Sequence, residues 1–201
     1  MNASRPSNSS LRSGAMRGLV SALLLIGSVQ AAADDEPSWA ALRQGGKVVL
    51  LRHAHVEIRE GIGHLAPGHC DEEVNLSQRG EKQARQIGKA FRAHGVPVGE
   101  VLTSPYCRCI DTGRIAFGSA TPVPYLRPPG TVSEAQAEVD QAGLMKAILT
   151  HHAPTNLVMI THDLNIAGVV LEDTVRMGEF FVVEPKGDHL DIVGSIVIGE
   201  D

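Results

Sequence analysis

Three short apolar runs in this chain each end in residues able to do chemistry. Val48-Val49-Leu50-Leu51 leads into Arg52-His53, and Val101-Leu102 leads into Thr103-Ser104-Pro105 and then Arg108. Leu157-Val158-Met159-Ile160 leads into Thr161-His162-Asp163. Two arginines and two histidines in these positions suit the transfer of a phosphoryl group. Neutral imidazole is a good nucleophile near neutral pH. Guanidinium groups stay charged and present a fork of donors to phosphate oxygens. Two of them can grip the equatorial oxygens while charge shifts in the transition state, and a second imidazole can add a hydrogen bond. Arg108, Thr112 and Ile115 fall on one face of a predicted helix. That helix can anchor itself in a core, aim Arg108, and offer the N–H groups of its first turn to an anion.

The elements that must position these residues follow from periodicity. The apolar runs lack polar alternation and are separated by amphipathic helices, which is the pattern of β-α-β units and a buried parallel sheet. One helix is capped by Ser77 and buries Gly80, Ala84, Ile87 and Phe91, with Gly95 and Pro97 stopping it. A shorter helix runs from near Tyr106 to Gly118. Another starts at Ser133, with Gln136 at capping-box spacing, and carries a stripe of Ala135, Val139, Ala142, Met145 and Leu149. The end of the chain changes character: Phe180–Val183 and Asp191–Val193 flank Lys186-Gly187-Asp188, the signature of a hairpin. The expected fold is an α/β three-layer sandwich, with a mostly parallel central sheet, helices on both faces and a C-terminal hairpin. Open sheets of this kind bind ligands at the C-terminal ends of their strands. Arg52, His53, Arg108 and His162 are therefore expected to converge there.

The motifs also resemble a known family. Leu51-Arg52-His53-Ala54 resembles the Arg-His-Gly signature of the histidine phosphatase superfamily, with alanine in place of glycine. Leu76-Ser77-Gln78-Arg79-Gly80, with Gln83-Ala84 just after, is similar to the start of its first helix. Ser104-Pro105-Tyr106-Cys107-Arg108, then Thr112, matches its Ser-Pro-x-x-Arg-x-x-x-Thr element, and Thr161-His162 its late histidine. The resemblance covers residues 47–163 in order and is to the phosphoglycerate mutase-like branch. It implies His53 as phosphoacceptor, Arg52, Arg108 and His162 as the rest of the phosphate pocket, a small phosphorylated substrate, and neither metal nor other cofactor. The proton donor is left open. The mutase-like branch uses a glutamate between the second arginine and the late histidine, where Glu134 and Glu138 lie. The acid-phosphatase branch uses an aspartate directly after the late histidine, the position of Asp163. Asp163 is favoured over Glu134, and the absence of any donor is the third option.

Composition sets the remaining bounds. The 201 residues suit one domain of ordinary size, with 43% hydrophobic and 20% charged residues. A net charge of −5 and 3% aromatics argue against a nucleic-acid partner. Residues 1–33 read as a secretory signal, with Arg5, Arg12 and Arg17, an apolar run from Leu19 to Val29, and small residues suiting cleavage after Ala31 or Ala33. That run is short of the roughly 20 residues a membrane-spanning helix needs. Its removal leaves a single domain over 34–201 in a secreted or periplasmic protein. Loss of three basic residues and no acid takes the net charge from −5 to −8, so phosphate binding must rest on local positive charge.

An oxidising compartment favours one disulfide among Cys70, Cys107 and Cys109. Cys107 and Cys109 are too close to bridge easily, so Cys70 pairs with one of them, Cys107 being favoured, against an alternative of three free thiols. The long loop 55–75 is expected to shape the pocket, with His55, Arg59 and His64 as candidate substrate contacts beside Ser104. The cluster His53, His55, His64 and His69 admits a rival reading as an exported metal-binding protein. A second rival is a non-catalytic binder of phosphorylated ligands on the same fold.

Overall fold

The computed structural model describes residues 35–57 and 67–199, together with Met1. The expected signal segment 1–33, with Arg59 and His64, lies outside the described residues. The elements in order are α1 (Glu36–Gln44), β1 (Val48–Arg52), α2 (Gln78–Ala93), β2 (Val98–Thr103), α3 (Cys107–Phe117), β3 (Thr121–Pro122), two single 3-10 turns (Pro124–Leu126 and Pro129–Thr131), α4 (Glu134–Leu149), β4 (Asn156–Thr161), α5 (Asp163–Val170), β5 (Glu179–Lys186) and β6 (His189–Val197).

The strands form one sheet in the order β3-β2-β4-β1-β5-β6. β4 pairs in parallel with both β1 and β2, and β3 joins β2 in parallel. β5 then runs antiparallel to β1, and β6 closes the expected hairpin. Its turn holds Gly187 at φ 75, a conformation that favours glycine. Alternate strand residues feed opposite faces. Val49, Leu51, Val158, Ile160 and Phe180 pack against α1, α2 and α3 through Trp39, Ile87, Phe91 and Ala116. Leu50, Met159 and Phe181 pack against α4 and α5 through Leu144, Ile148, Ile166 and Val170. Both faces are therefore covered by helices, which is why the inner strands read as unbroken apolar runs.

The register delivers the functional residues to one edge. Arg52 lies opposite Thr161, and Thr103 opposite Ile160. The backbone N–H of His53 donates to the Thr161 carbonyl at 3.1 Å, and that of Ser104 to the Ile160 carbonyl at 2.8 Å. The residues following β1 and β2 are thus stitched to the end of β4.

Helix α2 follows its expected pattern. The Ser77 side chain accepts from the Gly80 N–H, and Gly80, Ala84, Ile87 and Phe91 are buried. Helix α4 departs from its expected stripe. Its buried face is Asp140, Leu144 and Ile148, whereas Val139 is 63% exposed. The reason is an ion pair: Asp140 receives Arg127 Nε at 2.6 Å and Gln136 Nε2 at 3.0 Å. A partnered carboxylate can occupy a core-facing position, and apolar periodicity does not register it.

Helices α2 and α3 meet at Gly88, where a Cβ would overlap the Ala116 carbonyl oxygen. Gly88→Ala should therefore lower stability by about 1–2 kcal/mol despite the gain in helix propensity. Denaturant unfolding will measure this, and an unchanged midpoint would mean that the two helices part freely.

Candidate active site

The chain leaving β1 enters the site through His53, which is 5% exposed. Its Nδ1 lies 2.9 Å from the Ala54 carbonyl oxygen. A carbonyl only accepts, so Nδ1 carries the proton and Nε2 keeps its lone pair. Helix α2, its N-cap Ser77 and helix α3 fix the next residues. Gln83 Oε1 accepts from the His55 N–H at 2.9 Å, Ser77 N–H donates to the His55 carbonyl at 3.1 Å, and Ala54 N–H donates to Thr112 Oγ1 at 3.1 Å. Gly80 permits this approach, since a Cβ there would overlap the His55 carbonyl. The Leu-Ser-x-x-Gly stretch therefore acts as a clamp on the segment that carries the imidazole.

Arg108 projects from the first turn of α3 and is 5% exposed. Its guanidinium carbon lies 4.7 Å from the Tyr106 ring centroid, and Nη2 is 3.2 Å from His162 Nδ1. Among the described residues no carboxylate forms an ion pair with it. Arg52 is held differently: Nη1 donates to the Val175 carbonyl and Nη2 pairs with Asp163 Oδ2 at 3.2 Å. Its Nε is buried without a hydrogen-bond partner. Arg52, His53, Arg108, His162 and Asp163 line one cavity of about 450 Å³.

His162 lines the cavity and is also held from behind. Its Nδ1 can only accept from a guanidinium, so Nε2 bears the proton and donates to Ser104 Oγ at 2.8 Å. Ser104 is fully buried and sets the His162 ring, which in turn sets Arg108. It is not among the described residues that line the cavity. Glu134 is a further correction. It lies on the exposed start of α4 and lines a separate groove with Glu138 and Gln141, because the helix turns its Asp140 face inward. His55 is also diverted: its Nδ1 meets Ser77 Oγ at 2.9 Å, and it lines a neighbouring groove with Arg52, Arg79 and Arg176. Among the described residues no group of three or more His, Cys, Asp or Glu is gathered as a metal site.

The start of α3 is anchored twice. Cys70 and Cys107 form a disulfide with Cα atoms 5.6 Å apart. Glu73, 3% exposed, accepts from the Cys107 N–H at 2.7 Å and from the Gly68 N–H at 2.8 Å. The helix N-terminus expected to face a bound anion thus already has a carboxylate of the chain itself. Sequence reasoning missed Glu73. Its signal is its place three residues after Cys70, since a bridge to Cys107 must bring it to free N–H groups.

Burial, followed by the charge of Arg108, lowers the His53 pKa to about 3, with Arg52 adding to the shift and the Ala54 carbonyl opposing it. The folded chain thus binds this proton less tightly than the unfolded chain, whose ordinary value is 6.5. The corresponding stability is fully present above that value and is lost as pH falls toward about 3. Imidazole ¹⁵N shifts should show His53 neutral and protonated on Nδ1 at pH 5 (about 1.5 units below the ordinary histidine value), and Arg108→Ala should raise its titration midpoint. A midpoint near 6.5 in the wild type would contradict the geometry. Cys70→Ser should cost about 2–4 kcal/mol, the usual range for a bridge closing a loop of this size, measured by unfolding under non-reducing conditions.

Residues 48–129 match the family model described as histidine phosphatase superfamily (branch 1). A stretch of 75 residues is 37% identical to the 2,3-bisphosphoglycerate-dependent phosphoglycerate mutase of Corynebacterium diphtheriae, covering 37% of this chain and 29% of that protein. The chain thus spans less than a third of the length of the curated relatives it matches. Among solved structures, the protein histidine phosphatase SixA complexed with tungstate superimposes with TM-score 0.51 at 17% identity, covering 75% of this chain and 96% of that one. Phosphoserine phosphatase from Entamoeba histolytica, in complex with 3-phosphoglyceric acid, gives TM-score 0.55 at 13% identity, covering 77% and 97%. These two likenesses concern the fold. The ordered motifs, the sheet and the family model matched over residues 48–129 point the same way: the chain is similar to the histidine phosphatase superfamily, phosphoglycerate mutase-like branch.

Proposed function

We propose that this protein is an exported phosphomonoester hydrolase that works through a phosphohistidine on His53 and needs no metal. The observation that carries the reading is the juxtaposition of a neutral imidazole with a buried guanidinium that has no carboxylate partner among the described residues. A buried charge is costly unless it is paired. A phosphate group in the cavity supplies the missing anion and lies against the nucleophile. In the first step His53 Nε2 attacks phosphorus and the ester P–O bond breaks, while Arg52 and Arg108 take up the charge on the equatorial oxygens. In the second step water attacks the phosphohistidine, the P–N bond breaks, and inorganic phosphate leaves. The tungstate and 3-phosphoglyceric acid named for the two structural neighbours are oxyanion ligands of the kind this cavity suits. Export rests on the N-terminal pattern of residues 1–33, and it favours hydrolysis over a mutase reaction, which needs a phosphorylated donor in the same compartment.

Asp163 is the proton donor in this reading, because among the described lining residues it is the one carboxylate in the cavity. Its ion pair with Arg52 holds it beside the phosphate site. A phosphomonoester that enters as its monoanion brings the proton: as its phosphate takes over Arg52, Asp163 accepts that proton and passes it to the departing alkoxide, and it later relays the proton of the attacking water to the departing phosphate.

Purified protein should hydrolyse para-nitrophenyl phosphate in EDTA, and His53→Ala should abolish the reaction. Arg108→Ala should lower kcat/KM by about 10²–10³-fold. Asp163→Asn should slow alkyl phosphates by about 10²-fold while sparing para-nitrophenyl phosphate, whose leaving group needs little protonation. Activity that depends on added metal, or that survives loss of His53, would refute the mechanism.

A further inference from the structure

The lining of the His53 cavity divides into two chemistries. Its charged members and imidazoles are Arg52, His53, Arg108, His162 and Asp163, and all of them are engaged at the phosphate end. The remaining wall comprises Val56, Val74, Pro128, Leu164 and Met177, with Gly130 and Thr131. Thr131 is the one polar side chain in that wall, and its hydroxyl donates to the Pro128 carbonyl at 2.7 Å. It is therefore turned to its own turn. Glu134 and His55 line other grooves, and the cations Arg79 and Arg176 sit in the groove with His55. No described side chain in this wall offers a charge or a free donor to a second polar group on a substrate.

Leu164 stands out against that wall. It is 62% exposed on the first turn of α5, next to Asp163, and its side chain borders the cavity. A large apolar side chain in solvent at the rim of a catalytic cavity gains by being covered when a ligand enters. Alone it would be unremarkable, but here it continues the apolar surface formed by Val56, Val74 and Met177.

On the reading that His53 accepts a phosphoryl group, we infer that the substrate is a phosphomonoester whose leaving group is uncharged and apolar, an alkyl or aryl alcohol. The phosphate lies between Arg52 and Arg108, and the carbon skeleton lies along Val74, Leu164 and Met177. A substrate with a carboxylate or a second phosphate close to the ester finds no cation among the described residues of this wall.

The test is a substrate series with the full-length protein. kcat/KM should rise by about threefold per added methylene across short alkyl phosphates. Phenyl phosphate should exceed 3-phosphoglycerate by about tenfold or more. Leu164→Ser should flatten the chain-length dependence, and Leu164→Lys should shift the ratio toward 3-phosphoglycerate. Vanadate binding that is lost in His53→Ala reports the phosphate site independently of the leaving group. If vanadate binds but the alkyl series is flat, or 3-phosphoglycerate is preferred, the apolar assignment is overturned while the phosphatase reading stands. If vanadate does not bind and no ester is hydrolysed, both fall together.

Discussion

The buried guanidinium of Arg108 sets the terms for the rest of the site. A cation removed from water needs compensation, and here it comes from weak sources: the face of the Tyr106 ring and the Nδ1 lone pair of His162. These fix its direction, and among the described residues no carboxylate pairs with it. The His162 ring is fixed in turn by Ser104, and both chains of contact end on the edge made by β2 and β4. The same charge acts on its neighbours. It helps to hold His53 deprotonated on Nε2, which leaves that imidazole a lone pair beside the guanidinium.

A rigid frame holds this cation in place. The Cys70–Cys107 bridge and the Glu73 carboxylate both seize the residue directly before Arg108. On the other side, Gln83 ties together three segments far apart in sequence. Its Oε1 accepts from His55 N–H, and its Nε2 donates to the carbonyls of Met177 and Ile198. Arg52 is braced by the Val175 carbonyl two residues before Met177. Residues 70–73, residues 175–177, residue 198 and α2 therefore brace the segments that carry the two arginines, through the disulfide and through side-chain bonds to backbone groups.

The fold was legible because its strands are buried on both faces and its helices mostly bury apolar stripes. Ser77, Gly80 and Phe91 marked α2 correctly for that reason. The stripe on α4 failed where a charged residue took a core position: Asp140 enters because Arg127, thirteen residues away, supplies its partner. No local pattern carries that information. The same limit explains Ser104 and Glu134. Motif order places Ser104 beside the site, but only the register of β2 on β4 shows that it faces His162 rather than the cavity. Glu134 has a suitable position in sequence, yet the rotation of α4 set by Asp140 carries it into another groove. Asp163, by contrast, needs no distant partner to reach the cavity, since it follows His162 at the end of β4.

Two potential nucleophiles stand near one another here, and burial separates their fates. Cys109 is a free thiol, with Sγ 3.7 Å from His162 Nε2. Burial pushes its pKa up to about 12, and Arg108 only partly offsets this. Burial favours the uncharged form of every titratable group. For a thiol that form is the unreactive one. For an imidazole it is the form with a lone pair to give. The same dry surroundings therefore silence Cys109 and arm His53. Arg108 pushes both groups toward their less protonated forms, and at Cys109 it does not overcome burial. Of the two groups, the imidazole is thus the one that burial beside a cation leaves with its lone pair available.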